Sequence, residues 1–167
     1  MNLIARQDCE RMLKMPKTVY TKAPEVQEIA ERYIEKYHSH LIDMDVRVDY
    51  VFVSKTPKRN GKDVWGTCKK VANLNALLAG QETPFFVITI AEPIWGQLPQ
   101  NGKEALVDHL LCHAESKYNQ KEDEDPEDDV IKLSIRPYDV EEFAQIIRRH
   151  GLWRDDVKDF VKSVPAD

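Results

Sequence analysis

The sequence predicts an α+β fold, a small antiparallel or mixed sheet of about four strands with helices packed on it. Three observations carry that expectation. Apolar residues recur at helical spacing across residues 24–37, alternate with a period of two across 45–53, and run almost unbroken through PFFVITIAE at 84–92. The resulting order is helix, strands, helix, strand and two helices. With 167 residues and 42% hydrophobic content, the chain suits one compact domain. Its expected parts are an N-terminal extension over 1–20, a core over 24–164 and an acidic loop over 119–129.

The first helix opens at Pro24, favoured in a first turn, and Val26, Ile29, Ala30, Tyr33, Ile34 and Tyr37 form its apolar stripe. Val46, Val48, Tyr50 and Phe52 share one side of the strand at 45–53. Asn60-Gly61 then signals a turn, making the strand at 64–71 a plausible antiparallel partner of the first. The basic stretch KTPKRNGK lacks the spacing of a phosphate loop and reads as an exposed hairpin tip. The apolar run at 84–92 fits a strand buried on both faces. Residues 103–117 read as helix with Asn101 a candidate cap, and VIKLSI at 130–135 as a short strand. Asp139 and Glu142 form a capping-box-like pair for the next helix, with Val140, Phe143, Ala144 and Ile147 its apolar face and Gly151 its end. Val157, Phe160, Val161 and Val164 mark the last helix.

The formal net charge of −5 argues against general affinity for nucleic acid or an anionic membrane. No stretch of about 18 apolar residues is present to span a bilayer, and the first residues lack the apolar segment of a secretory signal. Three scattered cysteines, Cys9, Cys68 and Cys112, fit a reduced cytoplasmic protein. Residues 119–129 hold seven carboxylates, expected as a solvated, self-repelling loop without the spacing of a calcium loop. Trp65, Trp95 and Trp153 fall in three separate elements and suit core or rim roles.

The chemistry concentrates in ALVDHLLCHAES, residues 105–116. His109 and His113 stand four apart, which on a helix places two imidazoles on one face about 6 Å apart and able to share a zinc ion. This is the spacing of the zinc-peptidase signature H-E-x-x-H, but Leu110 stands where the catalytic glutamate belongs. Residue spacing alone leaves open the alternative of two ordinary, partly buried histidines. Cys112 reads as a small buried thiol.

Four ordered segments, GKDVWGTCKKV, ALVDHLLCHAE, DVEEF and RRHGLW, resemble the metallopeptidases found in phages and prophages, over residues 24 to about 162. In that family the histidine motif is typically D-H-E-L-C-H, and a histidine usually precedes D-V-E-E-F. The resemblance implies a minimal zincin-like fold in which a central helix carrying two zinc histidines lies under a short sheet. It also implies zinc that lowers the pKa of a bound water and a glutamate that takes its proton.

This sequence departs from the family at both decisive places, with Leu110 for the glutamate and Tyr138 for the downstream histidine. Loss of such a base removes about 10²–10⁴-fold in rate. Glu115 lies about 500° around the helix from Leu110 and is a poor substitute. His109 and His113 remain as metal ligands, with Tyr138, Asp139 and Glu142 as alternatives for a third, although Asp139 and Glu142 also suit capping. His150 suits an interaction with the last helical carbonyls. The expected function is that of a zincin-like protein without peptidase activity, acting in a host cytoplasm by binding a protein or peptide. The alternatives are a zinc-dependent hydrolase with another base and, more weakly, an acidic DNA-mimicking inhibitor resting on the 122–129 run.

Overall fold

The computed structural model describes residues 18–118 and 131–165, and the acidic segment 119–129 and most of the N-terminal extension lie outside the described residues. The chain divides into two compact units, one through Ile135 and one from Arg136 onward.

In the first unit the elements are β1 (Tyr20–Lys22), α1 (Pro24–Tyr37), α2 (His40–Asp43), β2 (Val48–Val53), β3 (Lys58–Arg59), β4 (Lys62–Asp63) and β5 (Gly66–Val71). There follow α3 (Asn73–Leu78), β6 (Phe85–Ala91), α4 (Glu92–Trp95), α5 (Gln100–Cys112), β7 (Ala114–Tyr118) and β8 (Ile131–Ile135). The main sheet is mixed, in the order β1-β2-β6-β5, which bears out the α+β expectation. β2 runs parallel to β6 with Val48 opposite Phe86, and β5 runs antiparallel to β6 with Gly66 opposite Ile90. β1 adds an antiparallel edge to β2, with Tyr20 opposite Val53.

The pairing of β5 with β2 expected from sequence is therefore incorrect, because β6 lies between them. Two causes are visible. Asn60 and Gly61, both at positive φ, close a two-residue turn that serves its own short ladder, Lys58 to Asp63. The central place goes to the most apolar strand, whose Phe86, Ile88 and Ile90 are fully buried. Each such side chain contributes about 1.5–3 kcal/mol relative to exposure.

α1 starts at Pro24 and turns Val26, Ile29 and Ala30 inward. α5 turns Leu106, Val107, Leu110 and Leu111 into the same core, which also holds Tyr50, Phe52 and Trp95. Glu104 of α5 accepts hydrogen bonds from Gln100 (3.0 Å), Arg32 (3.4 Å) and the Tyr33 hydroxyl (3.4 Å), joining α5 to α1 at the surface. The Gln100 bond, followed by the charge of Arg32, holds the Glu104 carboxyl below its ordinary pKa.

The helix expected over 103–117 ends at Cys112. The chain turns at His113 and continues as β7, paired antiparallel with β8 from Ala114 opposite Ile135 to Tyr118 opposite Ile131. Alternation of buried Ala114 and Ser116 with more accessible neighbours is strand periodicity, and pairing to β8 overrides the helical reading. The helix start also shifts, with Pro99 as the cap residue and Asn101 already inside.

The second unit contains α6 (Ala144–His150) and α7 (Asp155–Lys162). Gly151, at φ +67, ends α6 as expected. The expected Asp139 cap is not formed, because the helix begins five residues later at Ala144. Asp139 instead accepts a hydrogen bond from Arg136 at 2.6 Å.

Candidate metal centre

His109 lies in the last turn of α5 and His113 is the residue that caps its end, still in helical conformation at φ −78 and ψ −20. The four-residue spacing therefore survives the early end of the helix. The two rings meet edge to face, with centroids 5.2 Å apart and planes at 88°. Partial desolvation, then the proximity of His113, holds the His109 imidazole below its ordinary pKa. Only neutral imidazole binds a metal, so this shift favours the ligating form.

Leu110 is the next residue, about 100° further around the helix. It is 2% exposed, and its Cδ1 lies 2.6 Å from the position a Cβ would take on Gly66 of β5. Gly66 is required there for space, since an added carbon would also stand 3.1 Å from the Thr89 carbonyl oxygen. Residue 110 is thus a hydrocarbon side chain embedded in the core. Glu115, which the early strand places on β7, accepts a hydrogen bond from Ser134 at 2.9 Å and pairs with Lys117 at 2.9 Å.

Of the three downstream candidates for a third ligand, two carboxylates are engaged within the second unit. Asp139 pairs with Arg136, and Glu142 accepts from the Phe143 N–H at 2.7 Å and from Trp153 Nε1 at 3.2 Å. Tyr138 lies in the same segment.

The expectation of a buried Cys112 is incorrect, for the thiol is exposed. Buried positions in the last turns of α5 are 106, 107, 110 and 111, and residue 112 falls on a neighbouring stripe with Asp108. On that stripe lies a group that the sequence reading missed. Buried His38, the residue that ends α1, shares a 2.8 Å hydrogen bond between Nε2 and Asp108 Oδ1. Donor atoms of His38, Asp108 and Cys112 all lie within 4.8 Å of one another. The Asp108 and Cys112 spacing was legible; the arrival of His38, seventy residues earlier in the chain, was not.

Cys68 is partly buried against the core, and desolvation pushes its pKa up to about 12. His40 reaches the Ala114 carbonyl oxygen through Nε2 at 3.0 Å, tying α2 to the start of β7.

Imidazoles gathered at the end of a helix that packs on a mixed sheet are donors of the kind that metal-dependent hydrolases use. A family model described as "Putative phage metallopeptidase" matches residues 18–165, and the chain belongs to that family. No curated protein and no solved structure gives a significant match. The family implies a metal, and the donor chemistry at His109 and His113 fits one, with two imidazoles in contact and one held toward its neutral form. No helix among the described residues is long and apolar enough to cross a membrane.

Proposed function

We propose that this protein is a zincin-like member of its family that has lost peptidase chemistry and works by binding a protein or peptide partner in a host cytoplasm. The observation that carries the reading is Leu110, a fully buried aliphatic residue where the family's proton acceptor belongs. His109 and His113 would hold zinc, which when bound supplies Lewis acidity and acidifies a coordinated water. Leu110 accepts no proton, and the nearby Glu115 is committed to Ser134 and Lys117 on its own ribbon. Retained imidazoles without a base leave recognition as the function the site supports.

Strand β5 supports the partner class. It ends the strand order of the main sheet, its Gly66 touches Leu110 of α5, and its Lys70 reaches the Leu133 carbonyl of β8 at 3.0 Å. An extended peptide can pair with such an edge through main-chain hydrogen bonds.

The test is zinc-loaded wild type against a broad peptide library, beside Leu110→Glu. The wild type should bind zinc and cut nothing, whereas Leu110→Glu should gain hydrolysis that a chelator removes. Wild-type hydrolysis abolished by chelator and by His113→Ala would establish an active hydrolase with another base and overturn the proposal.

A further inference from the structure

We propose that His38, Asp108 and Cys112 form a second metal site, separate from the histidine pair and selective for zinc-class divalent ions. Their donor atoms, a ring nitrogen, a carboxylate oxygen and a thiol sulfur, lie within 4.8 Å of one another. A tetrahedral zinc site with bonds of about 2.0–2.3 Å sets its ligand atoms roughly 3.3–3.8 Å apart. A closure of about an ångström at the widest pair, with an opening of about 0.5 Å at the His38–Asp108 pair, completes the set, and Cys112 is exposed in the last helical residue of α5.

Two elements bring the donors together. Asp108 and Cys112 occupy one stripe of α5 through their four-residue spacing, and His38 enters from the end of α1, which packs on α5. The His38 side chain is only 9% exposed and already points a ring nitrogen at Asp108. That fixed imidazole is the costly part of a metal site to build, because a buried ring must be oriented by a partner. An ion would displace the proton that now joins Nε2 to Oδ1, which passes to Nδ1 or to solvent, and Cys112 would bind as thiolate, releasing its own proton to solvent. The thiolate favours zinc or cobalt over magnesium and calcium, which prefer oxygen alone. Three protein ligands leave a fourth position for water or an incoming donor.

The stripe of Asp108 and Cys112 is turned about 100° from that of His109 and His113. The two sets share no ligand. An ion at His38 would fasten the end of α1 to the turn that presents the histidine pair.

Cobalt titration of the full chain tests this, because a cobalt–thiolate bond gives a near-ultraviolet charge-transfer band that imidazole and carboxylate ligands do not. The wild type should show the band. Cys112→Ser should abolish it with Cys9 and Cys68 in place, and Asp108→Asn should weaken cobalt binding by more than the roughly 10–100-fold loss typical of an outer-shell change. His38→Ala should act like Cys112→Ser, and the exposed Cys112 keeps the test decisive if the buried substitution disturbs folding. The band should persist in the His109→Ala, His113→Ala double variant. No band, a band that survives Cys112→Ser, or one lost in the double histidine variant would overturn the proposal. Zinc counting separates this site from the histidine pair. Two equivalents are expected in the wild type and one in either set of variants, whereas a single equivalent removed by Cys112→Ser alone would sustain this site and contradict zinc at His109 and His113.

Discussion

The last turn of α5 presents two unlike faces. One holds Leu110 and Leu111, both sealed in the core, with Leu110 pressed against Gly66. The other holds Asp108, His109, Cys112 and, at the cap, His113, all with some access to solvent. Under the proposed function, the accessible face would keep side chains able to bind metal, while the adjoining Leu110 is taken up in packing. The difference teaches that ligation and proton transfer are separable in principle: the first needs donors on one face, the second a titratable group beside them, and an aliphatic residue at 110 would remove only the second.

Leu110→Glu should break this comparison most forcefully. A carboxylate placed among core side chains without a partner is expected to lower stability by about 3–5 kcal/mol at neutral pH, read from urea denaturation of metal-free protein. Burial raises the pKa of such a carboxyl, so the neutral form is favoured in the folded state. The loss should therefore shrink as pH falls below the unfolded carboxyl's pKa and grow as pH rises.

Gly66→Ala attacks the same contact from the sheet. Its Cβ would sit 2.6 Å from Leu110 Cδ1, with the Thr89 carbonyl close on another side. Overpacking of this kind should cost about 1–3 kcal/mol. Combining it with Leu110→Ala should recover part of the sum, and strict additivity in a double-mutant cycle would show that the contact is not what excludes a side chain at 66.

His109→Ala sharpens the comparison from the other face. Its side chain is outside the core, so thermal unfolding should show a change within about 0.5 kcal/mol while zinc affinity collapses. The smallest effect concerns the two described thiols. Exposed Cys112 should react with iodoacetamide at pH 8 while Cys68, with its pKa pushed up to about 12, stays protected in the native protein. Since that pKa is raised on folding, the associated stability is present at neutral pH and is lost as pH rises from the ordinary thiol range toward 12.

Much of this was legible in the sequence because the signals were local. The stripe of α1, the apolar run of β6, the Asn60-Gly61 turn and the histidine spacing each reside within a few consecutive residues, and each is found, except that Tyr37 at the end of the stripe is exposed. What sequence could not resolve was non-local. The insertion of β6 between β2 and β5 depends on competition for the sheet's centre, and the strand at Ala114–Tyr118 depends on a partner more than a dozen residues away. The placement of His38 beside Asp108 depends on how α1 packs on α5. The Asp139 and Glu142 capping pair failed because Arg136 and Trp153 supply competing partners.

The most direct measurement of the central claim is peptide hydrolysis by the zinc-loaded wild-type chain, with bound zinc counted in the same sample. Zinc bound through His109 and His113 with no cleavage above the metal-free control is the expected result. Cleavage by the wild type that chelator and His113→Ala both abolish would contradict it.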